Sequence, residues 1–325
     1  MNRTGSLLTS LSGATSLPNN ASRTSIITPL TRRLFALPPI PASPSPSHTS
    51  LSTFLAYASR ISLPESTTTY QGTLYEYTVQ TYLRNSGFSL HRVGGRSDLG
   101  VDLTGTWHVG EHPVTDPPVR VIVQCKSLKG KLGPSVVREV EGVAGRFVRA
   151  RPSGRKGEGS GGAGYAGVLV SPREATRGVR EALGRSRMPL VWMMLGWDGV
   201  LRQVLWNSRV EALGGGLGGL GVETVYRSGL QLRNGTESDF GSDEAKQRQE
   251  VRLMWEGKEV ETMDKVEDGM KRAERDWMAK WEEREFRDIP AEDILDAVER
   301  FVPGARPITI SDEEREMVVK ALLPG

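Results

Sequence analysis

The chain has 325 residues, a formal net charge of +3 and 25% charged side chains, which is ample length for a buried core of one or two domains. Its single cysteine, Cys125, excludes an intrachain disulfide and a cysteine-built zinc site. The four histidines lack HExxH-like ligand spacing, and no run of about 18 apolar residues is present to span a bilayer.

The net charge conceals three unlike segments. Residues 1–64 carry five Arg and no acidic residue. Residues 65–234 hold 22 basic against 14 acidic side chains, a balance of +8, and residues 235–325 hold 15 against 25, a balance of −10. The first segment is rich in Ser, Thr, Arg and Pro, the composition of a transit peptide, and directs the chain to the mitochondrion. No apolar core of a secretory signal follows Arg3. The run from Pro38 to Pro46 suits a linker, because proline excludes it from helices and sheet ladders. Removal of residues 1–64 would leave a slightly acidic chain, so whole-chain basicity is no argument for a nucleic-acid partner.

From about residue 65 to 234 the pattern is α/β. Leu74, Thr78, Val79, Tyr82 and Leu83 predict a helix over 70–86, closed by Gly87. Strands are expected at 88–93, 100–107 and 119–126, the last two joined by a Pro-containing loop over 108–118. Pro134 opens a helix to about 149, with Val136, Val137, Val140, Val143, Ala144 and Phe147 on its apolar face. A Gly-rich insertion over 153–164 precedes a buried strand at 165–170, a polar helix at 173–184 and an apolar strand at 189–195. This order predicts a mixed sheet with helices on its faces. Residues 235–288 read as one or two long surface helices carrying Trp255, Trp277, Trp281 and Phe286. Shorter helices follow at about 291–302 and 311–322, the second opened by Ser311-Asp312-Glu313-Glu314. This acidic, helical extension is expected to pack on the domain, screening its basic face, to bind a protein partner, or to remain partly disordered.

Strand alternation then selects a site. In the third strand Val121, Val123 and Cys125 share one face, and Ile122, Gln124 and Lys126 the other. In the second strand Val101 and Leu103 share a face opposite Asp102 and Thr104. If the two strands pair across the 108–118 loop, Asp102, Gln124 and Lys126 converge. A carboxylate, an amide and an amine at the end of apolar strands are costly to bury without partners. A divalent metal and a phosphate would supply them. Asp102, the Gln124 amide oxygen and the Cys125 carbonyl are the expected ligands of Mg2+, which binds oxygen and keeps several waters. Lys126 would orient the attacking water or stabilise developing charge. Basic residues gather just beyond (Lys129, Lys131, Arg138, Arg146, Arg149, Arg151, Arg155, Lys156), as on a surface that neutralises phosphates. Asp98 reads as a turn residue and the Cys125 side chain as core. The Gly-rich insertion lacks the phosphate-loop pattern.

The run Gly95-Arg96-Ser97-Asp98-Leu99-Gly100-Val101-Asp102-Leu103, followed by Val123-Gln124-Cys125-Lys126, resembles the PD-(D/E)XK nuclease superfamily. Within it the closest likeness is to the Mrr-type restriction-endonuclease branch and its G-x-D…Q-x-K variant. The resemblance implies a restriction-endonuclease-like domain at 65–234, a supporting Glu from the preceding helix at Glu76, and metal-dependent cleavage of DNA or RNA. Gln124 stands where Glu or Asp is common. With its leader and acidic extension, the whole chain resembles a fungal family of mitochondrial proteins described as required for respiratory growth. The alternative is a catalytically inactive member of the same fold that binds nucleic acid or protein.

Overall fold

The computed structural model describes residues 27–94, 100–128, 130–149, 164–213, 217–227, 248–282 and 289–322. Asp98, Lys129, Arg151, Arg155 and Lys156 and the Gly-rich insertion up to Ala163 lie outside them.

Three helices lead into the sheet: α1 (Pro29–Leu34), α2 (Leu51–Arg60) and α3 (Thr68–Tyr82). Strands β1 (Phe88–Arg92), β2 (Leu103–Trp107) and β3 (Val119–Cys125) form an antiparallel meander. Helix α4 (Ser135–Arg149) carries the chain to β4 (Tyr165–Ser171), and α5 (Arg177–Arg185) to β5 (Leu190–Leu195). Both crossovers give parallel pairs, β3 with β4 and β4 with β5, and β6 (Leu201–Trp206) closes the six-stranded sheet in the order β1 to β6. The expected α/β architecture of a mixed sheet with flanking helices is present.

Beyond the sheet lie α6 (Ser208–Glu211), β7 (Leu220–Arg227), β8 (Arg248–Trp255) and the short β9 (Lys258–Glu259), which pair antiparallel as a second sheet. Helices α7 (Met263–Glu282), α8 (Ala291–Phe301) and α9 (Asp312–Leu322) complete the described fold. No described helix is long and apolar enough to cross a membrane.

The sheet is covered on both faces. Tyr75, Val79 and Leu83 pack with Leu103, Val121, Val123, Val168, Val170 and Met193 on one face. Val136, Val137, Val140 and Val143 of α4 and Val179 and Leu183 of α5 pack with Ile122, Leu169 and Trp192 on the other. The alternation read along β3 therefore holds: Val121 and Val123 belong to one core and Ile122 to the other. Helix α3 is itself buried on two sides, because Tyr70 and Tyr77 turn away from the sheet into a cluster with Phe54 and Ala58 of α2.

The flanking segments differ from expectation. Residues 27–64 behave as part of the fold, although they carry the leader-like composition. Leu34 and Phe35 are fully buried among Trp277, Trp281, Leu295, Val298 and Val318 of the carboxyl-terminal helices. Thr31 donates to Glu274, and Arg33 pairs with Asp296 and Glu299. Only the apolar faces of α1 and α2, hidden among Ser and Thr, signalled this. Correspondingly, Trp277 and Trp281 are core residues and not surface ones, and residues 248–255 are a strand where a helix was expected. Among the described residues, the acidic extension packs away from the basic face near Lys126. Gly269 of α7 meets Val114, and Arg84 binds Asp264 and Glu267, which places α7 by the loop that enters β3 and the turn after α3. That is the far end of a seven-residue strand from Lys126, about 20 Å away at strand rise.

Two expectations follow. Phe54→Ala empties a buried ring site and should cost about 3–5 kcal/mol of unfolding free energy in urea. A chain starting at residue 65 should be less stable than one starting at residue 27, and equal midpoints would show that α1 and α2 are dispensable. The second concerns acid. His108 is buried between Thr106 Oγ1 and the Pro113 carbonyl, and burial pushes its imidazole down to about 4 from 6.5. His91 is pushed down to about 4 as well, by burial and then by Arg32 and Arg84. The unfolded chain takes up these protons first. Stability should be whole above about pH 6.5 and fall as pH drops toward 4, with a shallower fall in His108→Gln when melting temperature is followed against pH.

Candidate functional site

The candidate residues gather where β3 ends. The chain approaches β2 through Gly100, whose φ of +83° only glycine adopts readily, and a bend at Asp102. This bend breaks the alternation expected over 101–103. Val101 packs beneath α4 while Leu103 packs beneath α3, so the two do not share a face.

Asp102 is stitched to its neighbours through all its polar groups. Its N–H donates to the Val123 carbonyl at 3.0 Å, and its carbonyl accepts from Val93 and Gly94 at 2.9 Å each. Its carboxylate Oδ2 accepts the Cys125 N–H at 2.6 Å. An ionised acceptor makes such a bond shorter and about twice as strong as a neutral one. The carboxylate is thereby held at the one backbone amide that lies between Gln124 and Lys126.

Gln124 is 8% exposed. A Cβ placed on Gly100 would lie 3.3 Å from Gln124 Nε2 and 3.6 Å from a Val143 methyl, so the amide reaches under Gly100 on the α4 side. Its Oε1 is buried and has no hydrogen-bond partner among the described residues. Leaving a buried acceptor unsatisfied costs about 1–3 kcal/mol.

Lys126 continues past the strand. Its N–H donates to the Val170 carbonyl at 2.8 Å, and its ammonium to Glu139 Oε2 of α4 at 3.0 Å. The Glu139 side chain is 51% exposed, so this is a solvated pair worth no more than about 1 kcal/mol. Glu139 was not singled out from the sequence, where it is one more polar position on an amphipathic helix.

Glu76 lies on α3, the helix that precedes the sheet. It binds Arg92 of β1, both side chains being about seven-eighths buried (14% and 13% exposed). Arg92 also lies 5.6 Å above the Tyr77 ring. Burial raises the Cys125 thiol well above its ordinary value, Asp102 and Glu76 push it further, and Arg92 opposes. Glu76, Asp102 and Arg92 thus surround the end of β3 electrostatically, while the thiol stays protonated and inert. Cys125 meets Asp102 through its N–H.

Among the described residues no group of three or more His, Cys, Asp or Glu side chains is arranged to hold a metal. The donors present are of another kind: one carboxylate and one orphaned amide oxygen, both hard oxygen ligands. That set fits a cation that uses one or two protein oxygens and keeps its waters, as Mg2+ does.

A groove of about 890 Å3 opens past the carboxyl-terminal ends of β4 and β5. Lys131, Arg173, Arg177 and Arg180 line it, with Glu174. Arg177 pairs with Glu181, and Arg180 Nε donates to the Ala175 carbonyl. Lys131, Arg138 and Arg146 are exposed, so the basic character read from sequence is at the surface.

The model of the family "Required for respiratory growth protein 7" matches residues 67–226. An uncharacterized mitochondrial protein of Schizosaccharomyces pombe is 32% identical over 186 residues, covering 56% of this chain and 68% of the relative. The chain belongs to the Required for respiratory growth protein 7 family. The mitochondrial member from Saccharomyces cerevisiae (S288c) is 24% identical over 177 residues, covering 42% of this chain and 69% of its own. That from Vanderwaltozyma polyspora is 32% identical over 87 residues, 26% of this chain and 31% of its own. No solved structure matches the chain. The family match covers α3 through β7, so it includes the whole candidate site, and family members are named as mitochondrial proteins required for respiratory growth.

The orphaned amide is testable by itself. In metal-free buffer Gln124→Leu, close in volume, removes an unsatisfied buried acceptor and should leave stability unchanged or raise it by about 1–3 kcal/mol. A loss of stability in urea unfolding would show that the amide oxygen is satisfied in solution.

Proposed function

We propose that this mitochondrial family member is a nucleic-acid-processing protein whose site at the end of β3 hydrolyses a phosphodiester with a divalent cation, Mg2+ by preference. The observation that carries the reading is Gln124 Oε1, buried without a partner among the described residues, on the residue preceding the amide that anchors the Asp102 carboxylate. Asp102 and Gln124 would hold the cation through oxygen. When bound, the cation supplies Lewis acidity and lowers the pKa of its water. Lys126 can exchange its solvated contact with Glu139 for a phosphate oxygen at little cost, and so stabilise developing negative charge. Glu76, held by Arg92, contributes negative potential near the same strand end. The groove lined by Lys131, Arg173, Arg177 and Arg180 gives backbone phosphates a neutralising path. The import leader is assigned upstream of Thr28, where the buried helices begin.

A second reading, a nuclease-fold binding module without catalysis, is favoured by two observations. Lys126 is engaged by Glu139, and described carboxylates do not cluster at the site. The full chain incubated with DNA and RNA in Mg2+ or Mn2+ separates the two. Cleavage that falls at least about 100-fold in Lys126→Ala and in Asp102→Asn supports the hydrolase. Binding that survives Asp102→Asn, with no metal-dependent cleavage by wild type, assigns the binding module. Cleavage unchanged in Lys126→Ala removes that residue from the chemistry.

A further inference from the structure

The turn between β5 and β6 projects from the same carboxyl-terminal edge as Lys126. Val170 pairs with Cys125 on one side and with Met193 on the other. The residues just past β5 therefore stand two strand spacings, about 10 Å, from the end of β3. At the tip of that turn is Trp197, 43% exposed, with its ring centroid 4.8 Å from that of Tyr75. Tyr75 is fully buried, donates its hydroxyl to the Leu195 carbonyl at 2.8 Å, and precedes Glu76 on α3.

The turn is held firmly. Gly196 N–H donates to the Val200 carbonyl at 2.9 Å, and Gly199 N–H to the Gly196 carbonyl at 3.0 Å. Arg202 grips the Asp198 carboxylate with both terminal nitrogens and holds that carboxyl below its ordinary range. Gly199 has a φ of +76°, and a Cβ there would fall 2.3 Å from the Tyr82 ring. The turn is thus pressed onto α3, and the indole is carried on a braced support. An exposed tryptophan on a rigid turn loses little entropy when it stacks on a ligand.

What would stack there follows from the charge around it. Across the same edge, on the α4 and α5 side, stand Lys126 and the groove cations Lys131, Arg173, Arg177 and Arg180, so a strand that stacks on Trp197 crosses the edge to reach them. A row of cations with an exposed aromatic ring is the combination that binds single-stranded nucleic acid. Cations take the phosphates, and the ring takes the face of any base. A base inside a duplex has both faces covered by its neighbours.

We propose that Trp197 is a stacking platform for an unpaired base of a single strand whose backbone crosses this edge toward Lys126. The proposal rests on the nucleic-acid reading above and adds the form of the substrate. It is tested with the full chain in EDTA, so that no cleavage intervenes. Fluorescence anisotropy follows a labelled 20-nucleotide single strand and a duplex of the same sequence. Wild type should prefer the single strand. Trp197→Ala should weaken single-strand binding about 5- to 150-fold, the span of one base–aromatic stack, and duplex binding less than twofold. Trp197→Phe should restore most of the affinity. Equal loss on both substrates, or no loss on either, overturns the platform while leaving nucleic-acid binding standing. Failure of wild type to bind either substrate overturns both readings together, and would turn attention to a protein partner for the exposed indole.

Discussion

Asp102 occupies the point at which the β1–β2 connection, β2 and β3 meet, and its carboxylate accepts the Cys125 N–H where the β2–β3 ladder has already ended. Much depends on that bond. It closes the ladder with a side chain after the main chain of β2 has turned away. It also puts a negative charge against the backbone between Gln124 and Lys126. The same residue ties the turn after β1 through its carbonyl, so three segments are registered by one aspartate. Because the bond is charge-assisted and partly buried, it resists exchange with water, and the carboxylate keeps a defined position before any ligand arrives.

The second constraint is that β3 is buried on both faces. Neighbouring residues along such a strand enter different surroundings. Cys125 faces the core beneath α3, where its thiol is raised and unreactive, while Gln124 enters the layer beneath α4. Polar groups in that position must be matched, and one of them, the Gln124 oxygen, is not. The site therefore straddles the edge of the sheet. Asp102 and the Gln124 amide sit inside, Lys126 reaches solvent through Glu139, and the groove and Trp197 extend outward along the ends of β4 and β5. The described acidic helices α7 to α9 share a core with α1, by the loop that enters β3.

The central elements were legible because their signals are local. Helix α3, strands β1 to β5, and helices α4, α5, α8 and α9 follow from periodicity, Gly and Pro punctuation and capping residues. Each such signal is complete within about a dozen residues. Strand β6 and the β7–β8 pair were not read. Leu201 to Trp206 is short and interrupted by polar residues, and β8 carries charges that mimic a surface helix. The packing of α1 and α2 was masked by a composition without acids, which says nothing about which apolar side chains find partners, whether on α3 or in the carboxyl-terminal helices. In the site, Gln124 was placed on its correct face by alternation. Val101 was not, since the bend after Gly100 interrupts the period. Glu76 was found by resemblance, but its Arg92 partner comes from a different strand.

The amino-acid sequence by itself determined the α/β order, the two-faced burial of β3 and the presence of Asp102, Gln124 and Lys126 near its end, because these depend on neighbours in the chain. Tertiary structure alone decided who meets whom. It brought Glu139 to Lys126, Arg92 to Glu76, Trp197 to Tyr75 and the carboxyl-terminal helices to Leu34 and Phe35. Those pairings are set by how helices dock on the sheet and how the chain ends fold back, and no local pattern encodes the distance between residues that far apart in sequence.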